Sequence, residues 1–109
     1  MTSKKTAKSK RTNPLREFTR TKEFTKDWQR LTHSGRYDMN GLKELMLLLI
    51  ENSAPLSAKW LDHALTGHWT NHRECHIGGD FLLIYKVDGS GTNERVIFVR
   101  TGTHAELFG

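Results

Sequence analysis

The apolar residues of this chain follow a helical period in its first half and a strand-like period in its second half. From residue 22 to residue 50 they recur every three or four positions, which is the spacing of the buried stripe of an amphipathic helix. The first predicted helix has its apolar positions at Phe24, Trp28 and Leu31, and its polar face carries Lys22, Glu23, Lys26 and Asp27. The apolar positions of the second are Leu42, Leu45, Met46, Leu49 and Ile50.

Local signals mark the ends of these two helices. The sequence His-Ser-Gly at 33–35 breaks the first helix, and Asp38 is the predicted N-cap of the second. Asn52 and Pro55 stop the second helix. Ahead of the first helix, residues 15–21 alternate without a clear apolar face and predict a first strand.

The second half of the chain contains three segments that predict β-strands, at residues 71–77, 81–87 and 95–100. The second of them is apolar on both faces, as expected of a central strand. Residues 88–93 are typical of a flexible hairpin loop that leads into the third. Residues 56–71 have no regular pattern, and we predict an irregular connection that packs Leu56, Trp60 and Leu65 against the core.

The C-terminus carries the spacing of a capping box at Thr103 and Glu106, so a helical turn is predicted to begin at His104. The predicted order is a strand, two helices, a three-stranded antiparallel meander and a terminal turn. This order predicts an α+β fold of two layers, in which two N-terminal helices pack on one face of a small antiparallel sheet.

The length of 109 residues is that of a single domain, and its charge is concentrated at one end. Lys and Arg number 17 against 12 Asp and Glu, which gives a net charge of +5. Five of the positive residues lie in the first eleven positions and account for the whole excess. We therefore expect residues 1–13 to be a basic, flexible extension and residues 14–109 to be a nearly neutral domain.

Three features of the sequence indicate a cytoplasmic protein with no role in a membrane. The lone Cys75 cannot form an internal disulfide. The longest apolar run, residues 45–50, is far shorter than the ~20 residues that span a bilayer. The basic start of the chain lacks the apolar stretch of a secretory signal.

The candidate chemistry rests on histidine, because the sequence contains no phosphate-binding loop, nucleophile elbow or zinc-protease motif. A metal site would need His68, His72 and His76 on one helix face. The strand predicted from residue 71 argues against that helix, and in a strand residues four apart lie ~13 Å from one another. We therefore expect no metal and no other cofactor. Two interpretations stay open: surface histidines with no common role, and acid–base chemistry on a phosphate.

Acid–base chemistry would use the pair formed by Arg100 and His104. A neutral imidazole accepts a proton and an imidazolium donates one near neutral pH. Arg100, at the end of a strand, would hold phosphoryl oxygens. His104, at the start of a helical turn, would lie beside backbone amides that favour an anion. Such a set can cleave RNA without metal: the 2′-hydroxyl attacks the adjacent phosphate, one group takes its proton, and another protonates the leaving 5′-oxygen.

Four segments of the chain resemble the YafQ branch of the RelE/ParE toxins. They are DMNGLKELMLLLIEN at 38–52, LDHALTGHW at 61–69, NHRECHIGGDFLLIYKV at 71–87 and VRTGTHAELFG at 99–109. The run RTGTH close to the C-terminus is the most specific of these motifs. The resemblance covers about residues 18–109 and implies a RelE/ParE-like fold.

The resemblance also implies an activity and partners. Toxins of this branch are ribosome-dependent endoribonucleases, or mRNA interferases, that cut codons in the ribosomal A site and arrest translation. An antitoxin encoded beside the toxin holds it inactive, and the complex binds its own operator DNA through the antitoxin. We therefore expect an antitoxin, the ribosome and messenger RNA as partners.

The family's site residues carry over onto this chain one by one. The implied catalytic residues are His63, His76, Asp80, Arg100 and His104. The implied substrate-binding aromatic residues are Phe81 and Phe108. Phe81 stands where relatives often carry Trp, so the stacking ring is kept and the indole N–H is lost. Ala64 stands where relatives carry Pro. Arg73 and Glu74, at the edge of the proposed site, are expected to be structural or to contact the RNA backbone.

Simpler roles stay open for several of these residues. His63 would then only order the irregular connection, and Asp80 would only accept the amides of a turn after two glycines. Phe81 and Phe108 would be ordinary core or surface residues. No role is assigned to His33, His68 and His72, and the three tryptophans Trp28, Trp60 and Trp69 are expected in the core.

Two other functions also stay open. The first is a ParE-like toxin that shares the fold and inhibits DNA gyrase by binding, without cutting RNA. The second is an inactive remnant that binds an antitoxin. A gyrase inhibitor has no need for His63, His76 and His104 around Arg100, so the histidine set distinguishes it from the nuclease.

Overall fold

Residues 15–52 and 56–109 are described by the computed structural model, and they form a five-stranded sheet with two long helices on one face. The predicted basic extension of residues 1–13 and the predicted helix stop at Pro55 lie outside the described residues. The elements of the first half are β1 (Glu17–Arg20), α1 (Lys22–Ser34) and α2 (Met39–Glu51). This order confirms the predicted strand and two helices.

Side-chain caps begin both helices and left-handed residues end them. The Thr21 hydroxyl oxygen accepts a hydrogen bond from the Phe24 N–H at the start of α1, and Asp38 accepts one from the Gly41 N–H at the start of α2. Gly35 ends α1 at φ 70°, and Asn52 ends α2 at φ 60°. The predicted break after α1, the Asp38 cap and the Asn52 stop are thus confirmed.

The second half of the chain supplies the other four strands and a short terminal helix. They are β2 (His63–Ala64), β3 (Arg73–Gly78), β4 (Phe81–Asp88), β5 (Arg95–Gly102) and α3 (His104–Phe108). The predicted irregular connection over 56–71 contains the two-residue strand β2 and two short 3-10 turns. The predicted capping box is present, with the Thr103 and Glu106 side chains each accepting a backbone N–H of the other residue.

The sheet has the strand order β1-β5-β4-β3-β2. The predicted antiparallel meander of β3, β4 and β5 is confirmed, and β2 adds a further antiparallel strand that was not predicted, but β1 runs parallel to β5. The expectation of a wholly antiparallel sheet is therefore corrected at this edge. Side-chain alternation predicts that a strand exists and carries no information on its direction, so the parallel pairing had no local signal.

The face of the sheet that α1 and α2 cover holds the main core. Its fully buried side chains come from both layers, namely Phe24, Leu31, Leu42, Leu45, Cys75, Leu83, Val96 and Phe98. We call this the covered face. Leu56 and Trp60 of the connection pack here, as predicted. Trp28 also packs against this core but is only partly buried.

The opposite face of the sheet, which we call the open face, carries a smaller apolar cluster. Leu82 and Ile84 of β4 are fully buried there beneath Leu107 of α3. Leu65 and Trp69 of the connection pack against the same cluster, so the predicted core position of Trp69 is on this side. Among the described residues, no helix has the length and hydrophobicity needed to cross a membrane.

Candidate active site

Three histidines surround one buried carboxylate on the open face. The Glu74 side chain is only 4% exposed, and its Oε2 atom lies 2.9 Å from His76 Nε2. The same oxygen lies 3.6 Å from His63 Nε2 and 4.0 Å from His104 Nε2. The ring centroids of His63 and His76 lie 6.0 Å apart, and those of His76 and His104 lie 5.9 Å apart. The predicted histidines thus meet at one place.

The alternation of β3 brings Glu74 and His76 to the open face. They are cross-strand partners of Ile84 and Leu82, which lie in the open-face cluster. Cys75, between them in the chain, points into the covered core. Because residues two apart in a strand share a face, the pair Glu74 and His76 is set by the same pattern that builds the core.

His63 reaches the site because β2 pairs with β3 in a register that places it opposite Glu74. Its Nδ1 atom lies 2.8 Å from the Leu61 carbonyl oxygen. A carbonyl only accepts hydrogen bonds, so Nδ1 must carry the proton and Nε2 is left to face Glu74. The short strand β2 therefore fixes both the place and the orientation of this imidazole.

His104 is held by Asp80 through two hydrogen bonds to one oxygen. Asp80 Oδ1 lies 2.5 Å from His104 Nδ1 and accepts the His104 backbone N–H at 3.1 Å. The bond to the imidazole, and then the bond to the backbone N–H, hold the pKa of the Asp80 carboxyl below its usual value. The ionised carboxylate orients the ring so that Nε2 faces Glu74 and the open face.

Arg100 lies on the same side of the molecule but is held by a different residue. It is the cross-strand partner of Ile84, which is itself opposite Glu74, so Arg100 and Glu74 are two strands apart, or ~10 Å. Its Nε and Nη2 atoms donate to the two carboxylate oxygens of Asp27, at 2.7 and 3.0 Å. The hydrogen bond with Asp27 raises the pKa of the Arg100 guanidinium. Asp27, predicted on the polar outer face of α1, is in fact buried.

The three predicted substrate-binding residues have different surroundings. Phe108 is 42% exposed, and its ring lies 5.8 Å from that of His104, so it is on the open face. Phe81 is buried in the covered core against Tyr37, and the predicted stacking of a base on its ring does not fit that position. Arg73 also faces the covered side, where it forms a fork with Asp62. Its contact with RNA stays a prediction.

Two charged residues of this region were not singled out as site residues from the sequence. Glu74 was expected at the edge of the site and lies at its centre. The signal that could have found it is its place one residue from Cys75 and two from His76 in a predicted strand. Asp27 had no such signal, because the helical pattern places it on the polar face of α1.

The open face also contains a set of groups with the spacing of metal ligands. His63, Glu74 and His76 each offer one ligand atom, and these atoms lie within 4.8 Å of one another. Two imidazoles and one carboxylate are a ligand set that zinc and similar ions take in proteins. The expectation of no metal site was based on His68, His72 and His76, and the structure groups a different set. The carbonyl that fixes His63 would act as its outer-shell partner.

The comparisons with known proteins agree with this fold. The family model described as "Bacterial toxin of type II toxin-antitoxin system, YafQ" matches residues 16–109. The mRNA interferase toxin YafQ of Escherichia coli strain K12 is 46% identical over 87 residues, which are 80% of this chain and 89% of that protein.

Two solved structures show the same fold. The toxin chain in a crystal structure of the Escherichia coli DinJ–YafQ complex has a TM-score of 0.74 and 42% identity, over 86% of this chain and 99% of that chain. A copper-bound mutant toxin from Helicobacter pylori has a TM-score of 0.75 and 37% identity, over 86% of this chain and all of that chain. Together with the family match, these similarities show that the chain belongs to the YafQ family of toxins of type II toxin–antitoxin systems.

Proposed function

We propose that this chain is an mRNA interferase that cuts messenger RNA in the ribosomal A site by metal-independent acid–base catalysis. Its Escherichia coli relative, named an mRNA interferase toxin, supports the endoribonuclease activity. The observation that carries the mechanism is the position of His104. Asp80 holds Nδ1 of this imidazole, so Nε2 is presented beside His63 and His76 on the open face.

The reaction needs one group that accepts a proton and one that donates it. The 2′-hydroxyl oxygen of one nucleotide bonds to the adjacent phosphorus while a neutral imidazole takes its proton. The bond from phosphorus to the 5′-oxygen then breaks, and an imidazolium gives that oxygen a proton. A 2′,3′-cyclic phosphate and a free 5′-hydroxyl result. The rings of His63 and His76, and those of His76 and His104, are close enough that two imidazoles could contact the same phosphate group.

Arg100 would stabilise the charge that develops on the phosphoryl oxygens. Its Nε and Nη2 atoms are held by Asp27, and no acceptor in residues 15–52 or 56–109 is bonded to its Nη1 atom. That nitrogen is thus the one offered to a phosphate. Phe108, beside the His104 ring, would stack on a base next to the cleaved bond.

The near-neutral charge of the domain supports dependence on the ribosome. Phosphate contacts through Lys and Arg supply most of the affinity of a free ribonuclease for RNA. The proposed toxin domain, residues 14–109, is nearly neutral, so its own affinity for free RNA is weak. The A site would supply the missing positioning by holding the codon ready for attack, which can contribute several kcal/mol. A toxin that acts at the ribosome would work in the cytoplasm, which is the location we propose.

The proposed partner that restrains the toxin is an antitoxin. The DinJ–YafQ complex shows that a relative assembles with one. The open face presents histidines and a partly exposed arginine, so we expect the antitoxin to cover it with an acidic or helical segment. Through the antitoxin, the complex would bind its own operator DNA.

A mutant of a Helicobacter pylori relative binds copper, and we propose that a metal on the open face of this chain would inhibit cleavage. An ion held by His63, Glu74 and His76 would occupy imidazole nitrogens that the acid–base mechanism requires. We therefore expect cleavage to persist in EDTA and to fall when Cu²⁺ is added. Loss of cleavage in EDTA that Zn²⁺ or Cu²⁺ restores would contradict the metal-independent mechanism.

The decisive experiment compares cleavage of one mRNA with its start codon intact and with that codon mutated, in cells that express the toxin. Cuts at codon boundaries in the translated message alone are the expected result. The matched control is expression of the His104→Ala variant, which should leave both messages intact. Equal cleavage of both messages would remove the ribosome from the mechanism. Cleavage of neither message, with growth still arrested, would favour the gyrase inhibitor, and growth without arrest would favour the inactive remnant.

A further inference from the structure

Asp27 is a buried carboxylate on α1 that accepts four hydrogen bonds. Its Oδ2 atom accepts from Arg100 Nε at 2.7 Å and from the Thr101 backbone N–H at 3.1 Å. Its Oδ1 atom accepts from Arg100 Nη2 at 3.0 Å and from Arg30 Nη2 at 3.1 Å. Both oxygens are therefore saturated, and three of the four donors come from charged side chains.

The environment of Asp27 keeps it ionised. Burial acts to raise the pKa of this carboxyl, but the hydrogen bonds from Arg100, from the Thr101 N–H and from Arg30 outweigh burial and lower it. A buried ion pair of this kind adds little stability compared with an apolar pair of the same volume. Stability alone thus gives no reason for a charged fork at this position.

The same group of contacts continues to the helix that begins with His104. Arg30 donates its other terminal nitrogen, Nη1, to Glu106 Oε2 at 2.5 Å. Glu106 Oε1 accepts the Thr103 backbone N–H, which closes the capping box of α3. Gly102 lies between the two ends of this network at φ 155°, and a Cβ atom there would come within 2.6 Å of Glu106 Oε1. A side chain at this position would therefore displace the Glu106 carboxylate from the contacts that join β5, α1 and α3.

We infer that Asp27 is a positioning residue for Arg100: it holds the guanidinium by two parallel hydrogen bonds and directs Nη1 toward the phosphate bound on the open face. This inference rests on the proposed function, since it concerns the same reaction. A free arginine side chain samples many rotamers, and holding it in one removes that entropy before substrate binds. The fork fixes the plane of the guanidinium as well as its place.

The fork also explains how one arginine can serve two negative groups. The edge of the Arg100 guanidinium formed by Nε and Nη2 binds the two carboxylate oxygens of Asp27, and Nη1 remains for a phosphoryl oxygen. The Arg100 side chain is 28% exposed, so substrate can reach it without moving α1. Asp27 itself is buried and touches no substrate; it acts only through Arg100.

The test measures kcat and KM for cleavage of mRNA on purified, programmed ribosomes. Asp27→Asn keeps the size of the side chain and an acceptor for the Thr101 N–H, but it loses the charge that holds the fork. We expect kcat to fall about tenfold or more with KM changed less than about twofold, because the ribosome is still bound and only the attack geometry is lost. Glu44→Gln, the same kind of change at an exposed carboxylate of α2, is the matched control and should change neither constant.

A double-mutant cycle separates positioning from a structural role. If Asp27 acts through Arg100, then Asp27→Asn should change kcat by less than about twofold in the Arg100→Ala background. Equal loss in both backgrounds, with active wild-type toxin, would overturn the positioning role and leave the proposed nuclease intact. Absence of cleavage by the wild type would instead overturn the nuclease, and with it the role given to the fork.

A second measurement on the wild type needs neither activity nor a variant that folds. In ¹⁵N-resolved NMR spectra near pH 6.5, the Arg100 Nε–H signal should be resolved and exchange with water more slowly than that of the exposed Arg36. Exchange of both protons at the same rate would show that Asp27 does not hold Arg100, and the inference would fail on that result alone.

Discussion

Side chains of strands β3 and β4 alternate between two faces of the sheet, and the two faces have different roles. On the covered face, Cys75 and Tyr85 are buried under α1 and α2, and burial, as the largest cause, raises the pKa of each side chain well above its usual value. On the open face, one residue along the chain, Glu74 and His76 lie beside two further histidines. The difference shows that a site can be placed on a strand without disturbing the core, because consecutive residues of a regular strand face opposite surfaces.

The polar groups of the two faces also differ in what they are bonded to. On the covered side, Asp62 accepts from Arg73 and from the Tyr85 hydroxyl, so these groups bind one another and hold the connection in place. On the open side, His104 binds Asp80 with one nitrogen and presents the other. Groups satisfied on all sides stabilise the fold, whereas groups with an atom to spare can act on a ligand.

The largest effect should come from changes on the open face. His104→Ala or Arg100→Ala should reduce the mRNA cleavage rate by ~10²–10⁴-fold, since His104 is proposed to transfer a proton and Arg100 to stabilise charge on the reacting phosphate. Both variants should keep the circular dichroism spectrum of the wild type. His33→Ala, at an exposed histidine remote from the site, is the control. A folded His104→Ala protein that still arrests growth would remove this residue from the mechanism.

A change in the covered core should affect stability instead. Leu83→Ala deletes a fully buried side chain and should lower the free energy of unfolding by ~2–5 kcal/mol. The measurement is urea unfolding followed by circular dichroism, with cleavage assayed below the unfolding transition. Leu47→Ala, at a leucine that is 57% exposed, should lower it by far less. A loss of cleavage in fully folded Leu83→Ala protein would contradict the independence of the two faces.

Asp80→Asn should have an intermediate effect on the rate. The amide keeps a hydrogen bond to His104 but no longer stabilises the imidazolium, and loss of such an orienting carboxylate costs ~10–100-fold. The pH–rate profile is the informative readout, because a carboxylate that only caps the turn would leave that profile unchanged when it is replaced by an amide. A rate and profile equal to those of the wild type would leave Asp80 with only its turn role.

The smallest effect that we expect is a change in how the melting temperature depends on acidic pH. The folded pKa of Asp27 is lower than its unfolded value, so its ionised pairing stabilises the fold above about pH 4 and is lost as the pH falls through the folded pKa. The difference in melting temperature between wild type and Asp27→Asn should therefore be present at pH 6 and shrink at pH 3. A difference that grows with acid would show that Asp27 is not ionised in the folded protein.

The sequence predicts most of the elements because they depend on nearby residues. The stripe of Phe24 and Leu31, the Asp38 cap and the Thr103 capping box each involve positions within about two turns. The parallel pairing of β1 and the two-residue strand β2 depend on distant partners, and neither leaves a periodic pattern.

Most residues of the site could be predicted from the sequence, but the central position of Glu74 could not. The resemblance to the YafQ branch indicates His63, His76, Asp80 and His104, and the structure brings these four together. That all three imidazoles face Glu74 depends on the register of β2 against β3, which no local pattern encodes. Asp27 illustrates the same point for α1, since its burial arises from Arg100, 73 positions away.

The parallel pairing of β1 with β5 has a consequence for how the protein becomes active. It joins Glu17 to Arg95, so the first described strand cannot pair until the last one has been made. Contacts of such long sequence separation close large loops, which costs entropy and slows folding. Arg100 and His104 lie at the end of β5 and just beyond it, whereas Asp27, which holds Arg100, lies on α1. The site is therefore incomplete during synthesis until the last strand has been made and has met the first helix.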